Sequence, residues 1–386
     1  MEKDILIIGG GPAGLSTALH LQRTSPGLIS RILVLEKAHY PRPKLCAGGL
    51  VADAEVILRG LGLDVNEIPH VFSQATHFDF AGKGLTIRLP GKQPNLRIIR
   101  RDEFDAWLAS KARARGIEIR EGITIHSVIP DETGVTVETN TGTFRAQLVI
   151  GADGSNGITR HCILPREPLF TARVLEVLSP PSPNLQHASQ EAYFDFSPVP
   201  KGIAGYTWDF PTQLNGQPTR CWGIYDTNIL ARGQRAALKE TLAAEMARFG
   251  YNLAELELKG HPIRWFDPFS KISVPHVLLV GDAAGADPIF GEGISMALGY
   301  GMLAAQELEM AINREDFSFK HYRRRLLFSP LGQTLLVRWF IAYIIYTLQW
   351  KWFQFLLWRV FKPIVILIAW VFVLNWAKRM PSGIKH

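Results

Sequence analysis

A glycine-rich turn between an apolar run and a helical pattern is the feature that most constrains this chain. Residues 4–24 read DILIIGGGPAGLSTALHLQRT, with glycines at Gly9, Gly11 and Gly14. The next apolar run, RILVLEK, brings Glu36 22 residues after Gly14. In this arrangement the first glycine makes a tight turn, the second lets the backbone approach a pyrophosphate, and the third lets the helix pack on the strand, while the acidic residue accepts from a ribose hydroxyl. The pattern predicts a dinucleotide-binding unit.

Two β-rich stretches, from about residue 73 to 94 and from about 169 to 227, interrupt the α/β pattern. A chain of 386 residues also exceeds the roughly 250–300 at which a single core stops growing. We therefore expect an α/β, Rossmann-like domain carrying an inserted mixed β-sheet substrate domain and followed by a helical C-terminal region. The predicted boundaries are 1–72, 96–165 and 262–316 for the Rossmann-like domain, 73–95 and 166–261 for the substrate domain, and 317–386 for the C-terminal region.

Two more motifs follow apolar runs. LVIGADGSNGITR contains Asp153-Gly154, and VLLVGDAAGADPIFGEGISMAL contains Gly281-Asp282, followed by a loop and a predicted helix that begins near Gly293. In this order and at these distances, the three motifs resemble those of the flavoprotein superfamily with the para-hydroxybenzoate hydroxylase fold, over residues 1 to about 310. The resemblance implies that FAD is the cofactor.

A closer resemblance is to the geranylgeranyl reductase family, and two stretches carry it. GYTWDFP, residues 205–211, is similar to that family's Tyr-x-Trp-x-Phe-Pro motif. PRPKLCAGGL, residues 41–50, is similar to its Lys-x-Cys-Gly-Gly loop, although Ala47 separates Cys46 from the glycine pair. The resemblance implies contacts to FAD from Gly9, Gly11, Ala13, Gly14, Glu36, Lys37, Arg42, Cys46, Ala47, Arg101, Asp153, Gly154, Asp282, Gly291, Gly293 and Ile294.

Three of these FAD contacts have specific roles by resemblance. Asp282 would bond the ribityl chain, and backbone N–H groups near Gly291 to Ile294 would face the flavin N1–C2=O edge, where reduced flavin carries negative charge. Arg101 would contact the phosphate or ribose region, although the sequence leaves Arg100 an equal candidate.

Cys46, Tyr206 and Trp208 are the predicted catalytic residues. Arg42 and Lys44 would lower the pKa of the Cys46 thiol if they lie near it, and the thiol would then donate a proton or position a polar head group. The alternative is that Cys46 is a small buried apolar residue. Alternation along a strand places Tyr206, Trp208 and Phe210 on one face, either as a wall of the substrate cavity or as ordinary core.

The function implied by the resemblance is reduction of C=C bonds in a prenyl chain by hydride from reduced flavin. A second glycine triplet is absent from the sequence, so the reductant is expected to be a transiently bound NAD(P)H or a protein electron carrier. A flavin monooxygenase and a flavin-dependent halogenase share the fold and stay open as alternatives. The related halogenase motif is Trp-x-Trp-x-Ile-Pro, from which Tyr206 and Phe210 depart. A FAD-bearing sensor or scaffold also stays open.

Metal and disulfide chemistry are not expected. The histidines form no His-x-x-x-His spacing and the cysteines no Cys-x-x-Cys spacing. Three cysteines do not make a disulfide framework, so we expect a reducing, cytoplasmic location. Cys162 and Cys221 are interpreted as structural.

The C-terminal region is basic and apolar. Residues 317–386 contain eleven Lys and Arg and no Asp or Glu, which leaves a net charge of −4 for the rest of the chain. This favours in-plane helices on an anionic membrane, with basic side chains reaching toward lipid, namely those of Arg338, Lys351, Arg359 and Lys362. A spanning hairpin, an apolar lid and an oligomer contact are the alternatives. Nucleic acid is not an expected partner, because the basic residues lie within long apolar runs.

Overall fold

The computed structural model describes residues 2–88, 95–168, 170–182, 190–229 and 237–380. Parts of the predicted domains at 89–94, 169, 183–189, 230–236 and 381–386, including Lys385, lie outside these residues.

Strands and helices alternate in the first part of the chain and helices dominate after residue 294. The strands are β1 (Glu2–Ile8), β2 (Ile32–Leu35), β3 (Gly49–Leu50), β4 (His70–Ser73), β5 (Ala75–Phe80), β6 (Lys83–Ile87), β7 (Leu96–Ile99), β8 (Glu118–Arg120), β9 (Ile125–Asp131), β10 (Gly134–Thr139), β11 (Gly142–Gly151), β12 (Thr171–Ser179), β13 (Glu191–Asp195), β14 (Gly205–Leu214), β15 (Gln217–Asp226), β16 (Lys259–Arg264), β17 (Ser273–Val274) and β18 (Val277–Leu279). The α-helices are α1 (Pro12–Thr24), α2 (Ala52–Gly60), α3 (Arg101–Ala114), α4 (Ile158–Ile163), α5 (Leu238–Ala247), α6 (Ile294–Arg314), α7 (Tyr322–Phe328), α8 (Pro330–Thr347), α9 (Lys351–Phe355) and α10 (Lys362–Ile368).

The Rossmann-like sheet has the strand order β17-β18-β11-β1-β2-β8, with β10 and β9 continuing from β11. Strands β8, β2, β1, β11 and β18 are parallel, and their apolar runs are buried because helices cover one face and further apolar side chains cover the other. Helix α1 packs against α6 on the face that the helices cover. The predicted α/β, Rossmann-like domain is confirmed.

The second sheet is mixed, in the order β16-β12-β15-β14-β13-β5-β6. It takes strands from both stretches predicted to be inserted, because β5 and β6 come from residues 75–87 and the others from residues 171–264. Strand β16 ends at Arg264, three residues beyond the predicted limit of 261. Strands β3, β7 and β4 form a separate three-stranded sheet, which the sequence did not indicate.

The C-terminal region packs against both domains. Leu331, Leu335 and Trp376 are completely buried in the main core. Trp358 stacks on Phe196 of the substrate domain with ring centroids 4.1 Å apart. The helices therefore form part of the folded body and do not lie on it as a separate layer.

Two basic residues of this region do not reach outward as predicted. Arg338 is 3% exposed and forms ion pairs with Asp287 and Glu292. Arg359 donates hydrogen bonds to the carbonyl oxygen of Phe80. The expectation that both would extend toward lipid is wrong, because groups of the protein itself bind these guanidinium groups.

Among the described residues, no single helix is both long and apolar enough to cross a membrane. Two sharply bent pairs reach that length and composition jointly, namely Tyr322–Phe328 with Pro330–Thr347, and Lys351–Val360 with Lys362–Arg379.

Candidate active site

A cavity of about 1070 Å³ lies at the carboxyl ends of the parallel strands, where open α/β sheets bind their ligands. The mixed sheet and the C-terminal region contribute the rest of its wall. Most of the residues predicted from the sequence line it, namely Gly9, Gly11, Ala13, Glu36, Lys37, Arg42, Cys46, Ala47, Arg101, Asp153, Gly154, Tyr206, Trp208, Asp282, Gly291, Gly293 and Ile294. The one predicted contact that is absent from this lining is Gly14.

The glycine turn has the close contacts that the spacing predicts. Gly9 has a φ of +107°, and a Cβ there would lie 2.3 Å from the carbonyl oxygen of Ala152. A Cβ on Gly14 would lie 2.0 Å from the carbonyl oxygen of Gly9. Gly14 therefore packs α1 against β1 and does not reach the cavity, whereas Gly11 borders it.

Glu36 is held at the end of β2 by backbone donors. Its Oε2 accepts from the N–H of Gly10 at 2.8 Å, and its Oε1 accepts from the N–H of Ala38 at 3.0 Å. Each carboxylate oxygen has a second lone pair, so the group can still accept from a ribose hydroxyl. That contact stays a prediction.

Two arginines share one buried carboxylate on the cavity wall. Arg101 donates to both oxygens of Asp105 at 2.9 and 3.0 Å, and Arg42 Nη2 lies 3.2 Å from Asp105 Oδ2. Arg100 instead pairs with Asp102. Each guanidinium group carries more N–H donors than these contacts use, so both arginines can still donate to a phosphate group.

Asp153 serves the fold as well as lining the cavity. Its Oδ2 accepts from the N–H and the hydroxyl of Thr159, both at 2.9 Å, at the start of α4. Burial raises the pKa of this carboxyl group. Oδ2 is therefore bound within the protein, whereas Oδ1 is buried without a partner among the described residues, and contact of Asp153 with a cofactor stays a prediction.

The loop before α6 brings a helix N-terminus to the cavity. Gly293 and Ile294 begin α6, where backbone N–H groups have no helical acceptor. The N–H of Gly291 donates to the carbonyl of Asp287 at 3.0 Å, so this group is not directed into the cavity as expected. The closed turn explains the difference. Asp282 lines the cavity beside Ser155, whose Oγ lies 3.5 Å from Asp282 Oδ2.

Three tyrosine hydroxyl groups hold consecutive carbonyl oxygens of this loop. Tyr225 donates to Pro288 at 3.2 Å, Tyr346 donates to Ile289, and Tyr206 donates to Phe290. Tyr225 and Tyr346 were not predicted from the sequence, because each depends on a contact between distant segments. The Tyr206 hydroxyl supports the loop, and burial raises its pKa well above the usual value.

Aromatic side chains line the part of the cavity wall that the mixed sheet forms, and we call this part the chamber. Trp208 and Phe210 of β14 lie there with Phe78, Phe194 and Phe290. The Trp208 ring covers Gly223, where a Cβ would lie 2.1 Å from a ring carbon. Ile366, Ala369, Trp370 and Val373 of the C-terminal region close this chamber. The lid interpretation of the C-terminal region therefore has a geometric basis.

Known proteins are similar to this chain in sequence and in structure. The family described as "FAD binding domain" matches residues 2–324. A digeranylgeranylglycerophospholipid reductase from Thermoplasma volcanium is 30% identical over 349 residues, covering 82% of this chain and 80% of that protein. The chain belongs to the geranylgeranyl reductase family of FAD-dependent oxidoreductases.

Two solved structures are similar to this chain over nearly its whole length. A geranylgeranyl bacteriochlorophyll reductase-like protein from Thermoplasma acidophilum has a TM-score of 0.78 at 21% identity, covering 99% of both chains. A flavin-dependent brominase has a TM-score of 0.67 at 19% identity, covering 97% of this chain and 96% of that one. Both similarities concern the fold.

FAD is the cofactor, and the residues of this reductase-family protein fit it. The glycine turn borders the cavity, Glu36 has lone pairs left for a ribose hydroxyl, and Arg42 and Arg101 have N–H donors left for a phosphate group. The N-terminus of α6 supplies the partial positive charge that suits a reduced flavin.

The predicted acidity of Cys46 is wrong in direction. Burial raises the pKa of its thiol, and the nearby Arg101 only partly offsets this effect. Arg42 is occupied by Glu36 and Asp105, and burial lowers the pKa of Lys44. The Sγ atom accepts from the N–H of Gly48 at 3.3 Å.

Glu176 is a polar cavity residue that sequence reasoning missed. Burial raises its pKa to about 7, and its carboxyl group accepts from the N–H of Cys46. Its Oε2 is buried without a hydrogen-bond partner among the described residues. A signal was present, since Glu176 follows Ala172 and Val174 at alternate positions on the buried face of an apolar strand.

His261 lies across from this strand on β16 and also lines the cavity. Burial and the charge of Lys44 lower its pKa to about 4, so the ring is neutral near pH 7. Its Nδ1 is buried without a partner among the described residues. Like Glu176, it is a polar group left available on the cavity wall.

Proposed function

We propose that this flavoprotein reduces isolated C=C bonds of a prenyl chain. The observation that carries the proposal is the change in chemistry along one continuous cavity. Its glycine-turn end is charged, and the chamber beyond the cofactor residues is lined by Phe78, Phe194, Trp208, Phe210 and other apolar side chains. Such a chamber suits a long hydrocarbon that lacks polar groups.

The relatives support the same substrate class. The Thermoplasma volcanium protein is named for a digeranylgeranyl phospholipid, and the GYTWDFP stretch, similar to the reductase motif, forms the β14 wall of the chamber. The brominase has a similar fold, which is why halogenation and oxygen insertion are outcomes that the experiment below distinguishes.

The protein's part in the reaction is to hold the cofactor and to orient the substrate. Reduced FAD, when bound, supplies a hydride. Tyr206, Tyr225 and Tyr346 fix the loop that leads into α6, and so hold in place the N-terminal N–H groups of α6, which would face the flavin. The aromatic wall excludes water and restricts where a double bond can lie, which is the main contribution available for a substrate with no carbonyl to polarise.

Saturation of an alkene also requires a proton, and Glu176 is the residue we assign to hold it. Its pKa near 7 leaves much of the carboxyl group protonated at neutral pH. The Cys46 thiol, whose pKa is raised above its ordinary value of 9.0, is the weaker acid of the two. A general acid works best when its pKa lies near the working pH. Cys46 then orients Glu176 through its backbone N–H.

An anaerobic single-turnover experiment tests the reaction. The FAD-loaded protein is reduced with dithionite and mixed with a detergent-dispersed geranylgeranyl lipid, and the flavin spectrum and the lipid mass are recorded. We expect flavin reoxidation and a gain of two hydrogens per bond. A gain of one oxygen, seen only in air, would assign a monooxygenase, and a requirement for halide would assign a halogenase.

The electron donor is tested in the same assay. Replacing dithionite by NADH, NADPH or a reduced ferredoxin shows which of the two predicted donor classes reduces the flavin. Bleaching of the flavin by a nicotinamide alone would remove the need for a protein electron carrier.

A further inference from the structure

The C-terminal region exposes an unusual amount of apolar surface. Nineteen large apolar side chains are exposed among the described residues, and twelve of them lie between residues 350 and 372. We call these twelve the outer face: Trp350, Trp352, Phe355, Val360, Phe361, Ile364, Ile366, Leu367, Ile368, Trp370, Val371 and Phe372. Such a concentration on a soluble surface marks a place where something binds.

The C-terminal half of the outer face, on α10 and the helical turn after it, also borders the cavity. In α10 and the turn after it, Ile366, Trp370 and Val373 line the cavity at a spacing of three to four residues. Ile364 and Leu367 are 54% and 61% exposed and are not among the cavity-lining residues. This short segment therefore lies between the apolar chamber and the surface, and Ile366 and Trp370 are both exposed and cavity-lining.

The charged residues that neighbour the outer face in the sequence are all basic. Lys351, Lys378 and Arg379 are exposed, and the sequence has no Asp or Glu after Asp316. A second copy of the chain is a poor partner, because a two-fold interface would place these positive charges opposite each other. A negatively charged apolar surface is the complementary partner. Exposed Trp residues such as Trp352 also suit the headgroup level of a bilayer.

We propose that the outer face docks on an anionic lipid bilayer and that α10 is the portal through which a prenyl chain passes from the bilayer to the cavity. The docking rests on the exposed side chains and their charge. The portal rests, in addition, on the proposed function. Burial of apolar side chains gives the part of the binding that does not depend on salt, and the basic residues give the part that does.

Vesicle flotation with the FAD-loaded full chain tests the docking. We expect the protein to float with vesicles of phosphatidylcholine and phosphatidylglycerol, to float less at high salt, and to float partly with phosphatidylcholine alone. The variant Ile364→Glu/Leu367→Glu should float roughly tenfold less, because it loses apolar burial and adds negative charge. Its FAD absorbance should equal that of the wild type, which shows that the fold is intact.

A matched control carries the same charge change elsewhere. Ile129→Glu/Leu214→Glu replaces two exposed apolar residues, on β9 and at the end of β14, and should float like the wild type. Equal flotation of the outer-face variant and the control would overturn the proposal. So would a wild-type protein that ignores both vesicles and instead forms a dimer in sedimentation velocity that Ile364→Glu/Leu367→Glu abolishes.

Flotation needs no substrate, so the two proposals fail separately. A protein that floats but leaves the lipid mass unchanged retains the docking surface and loses the proposed function. A protein that reduces detergent-dispersed lipid but never floats retains the function and loses the docking surface.

Discussion

Arg338 Nη1 lies 2.7 Å from Asp287 Oδ2 and joins the C-terminal region to the cofactor loop. The same nitrogen lies 3.3 Å from Glu292 Oε2, and Nη2 donates to the carbonyl of Val373 at 3.0 Å. The guanidinium group of Arg338 thus links α8, which carries it, to the loop before α6 and to Val373 in the segment after α10. Both carboxylates belong to the loop that leads into α6 at Ile294, so the C-terminal region and this loop are joined by one set of charges.

Loss of this guanidinium group should destabilise the protein strongly. Arg338→Met leaves Asp287 and Glu292 buried without their cation, a change that costs about 3–5 kcal/mol in other buried pairs. Chemical denaturation should show that loss in the free energy of unfolding, together with weaker FAD retention.

Two further variants separate the charge effect from a packing effect. Adding Asp287→Asn and Glu292→Gln to Arg338→Met should recover part of the stability, since no carboxylate is then left unpaired. Arg324→Met changes an exposed arginine and should cost less than about 0.5 kcal/mol. If the triple variant were less stable than Arg338→Met alone, the ion pairs would not be the cause.

Substitution of Gly14 in the glycine turn should be damaging, whereas substitution of Gly27, which follows α1, should be tolerated. Gly14→Ala puts a Cβ 2.0 Å from the Gly9 carbonyl oxygen, so α1 must shift away from β1. We expect at least about 1–3 kcal/mol of destabilisation and reduced FAD content, measured by absorbance after purification. At Gly27 a Cβ meets nothing within 4 Å, and Gly27→Ala should keep wild-type FAD content. Equal behaviour of the two variants would contradict the assigned packing.

The proton assignment predicts a kinetic difference between two neighbouring residues. Glu176→Gln keeps the shape but cannot release a proton, so flavin reoxidation by the prenyl substrate should slow by about 10²–10⁴-fold at unchanged FAD content. Cys46→Ser should slow it much less, because the thiol is the weaker acid. Stopped-flow absorbance measures both rates. If Cys46→Ser slowed flavin reoxidation more than Glu176→Gln did, Cys46 rather than Glu176 would be the proton donor.

The raised pKa of Glu176 also predicts how stability depends on pH. The pKa is about 7 in the folded protein against an ordinary value of 4.5, so between these pH values the folded state holds a proton that the unfolded chain has released. Stability contributed by this group is therefore present below about pH 4.5 and lost as pH rises through 7.

Relative to Glu176→Gln, the wild type should lose about 3 kcal/mol across that window. Urea denaturation at several pH values measures the difference, with Glu257→Gln as an exposed control. Parallel pH profiles for wild type and Glu176→Gln would mean that Glu176 is charged in the folded protein.

The sequence predicted the cofactor end of the site well, because its signals are local. Gly9, Gly11 and Glu36 belong to one βαβ unit, and their spacing alone requires a tight turn and a nearby strand end. Arg338 could not be predicted in the same way, since its partners lie 46 and 51 residues earlier on another element. The sequence showed that the C-terminal region is apolar but not which side chains face inward, so Trp376 and Trp370 were indistinguishable although only Trp376 is buried.

Trp208 should control which double bonds are reduced. Trp208→Phe places a smaller ring in the wall and so enlarges the chamber. The distribution of partly reduced products in mass spectrometry should therefore change while FAD content stays the same. Trp222→Phe is the matched control, because Trp222 is equally buried one strand away but packs against α5 and does not line the cavity. Both variants lose comparable core contacts. A product change in the control alone, or in both equally, would show that general loosening of the sheet is responsible.

The last prediction concerns residues 375–377, which follow the cavity-lining residues of the C-terminal region and are held by Asp53. The Asp53 carboxylate of α2 accepts from the backbone N–H groups of Asn375 and Ala377 at 3.0 and 2.8 Å. Asp53→Ala removes both acceptors without changing the outer face or the ion pairs of Arg338. The segment of residues 375–379 should then open more often, because local opening is governed by the few contacts that hold a segment.

Trypsin reports this opening directly, since Lys378 and Arg379 lie in that segment and are already exposed to solvent. We expect the cleavage rate there to rise roughly tenfold in Asp53→Ala, which corresponds to about 1.4 kcal/mol of lost local stability. Asp64→Ala removes a comparable backbone acceptor, the one bound by the Asn66 N–H, far from the lid, and should leave the rate unchanged. Unchanged cleavage in Asp53→Ala would mean that the buried Trp376 holds the segment without help from Asp53, and the lid would then be fixed by packing rather than by a hydrogen-bonded anchor.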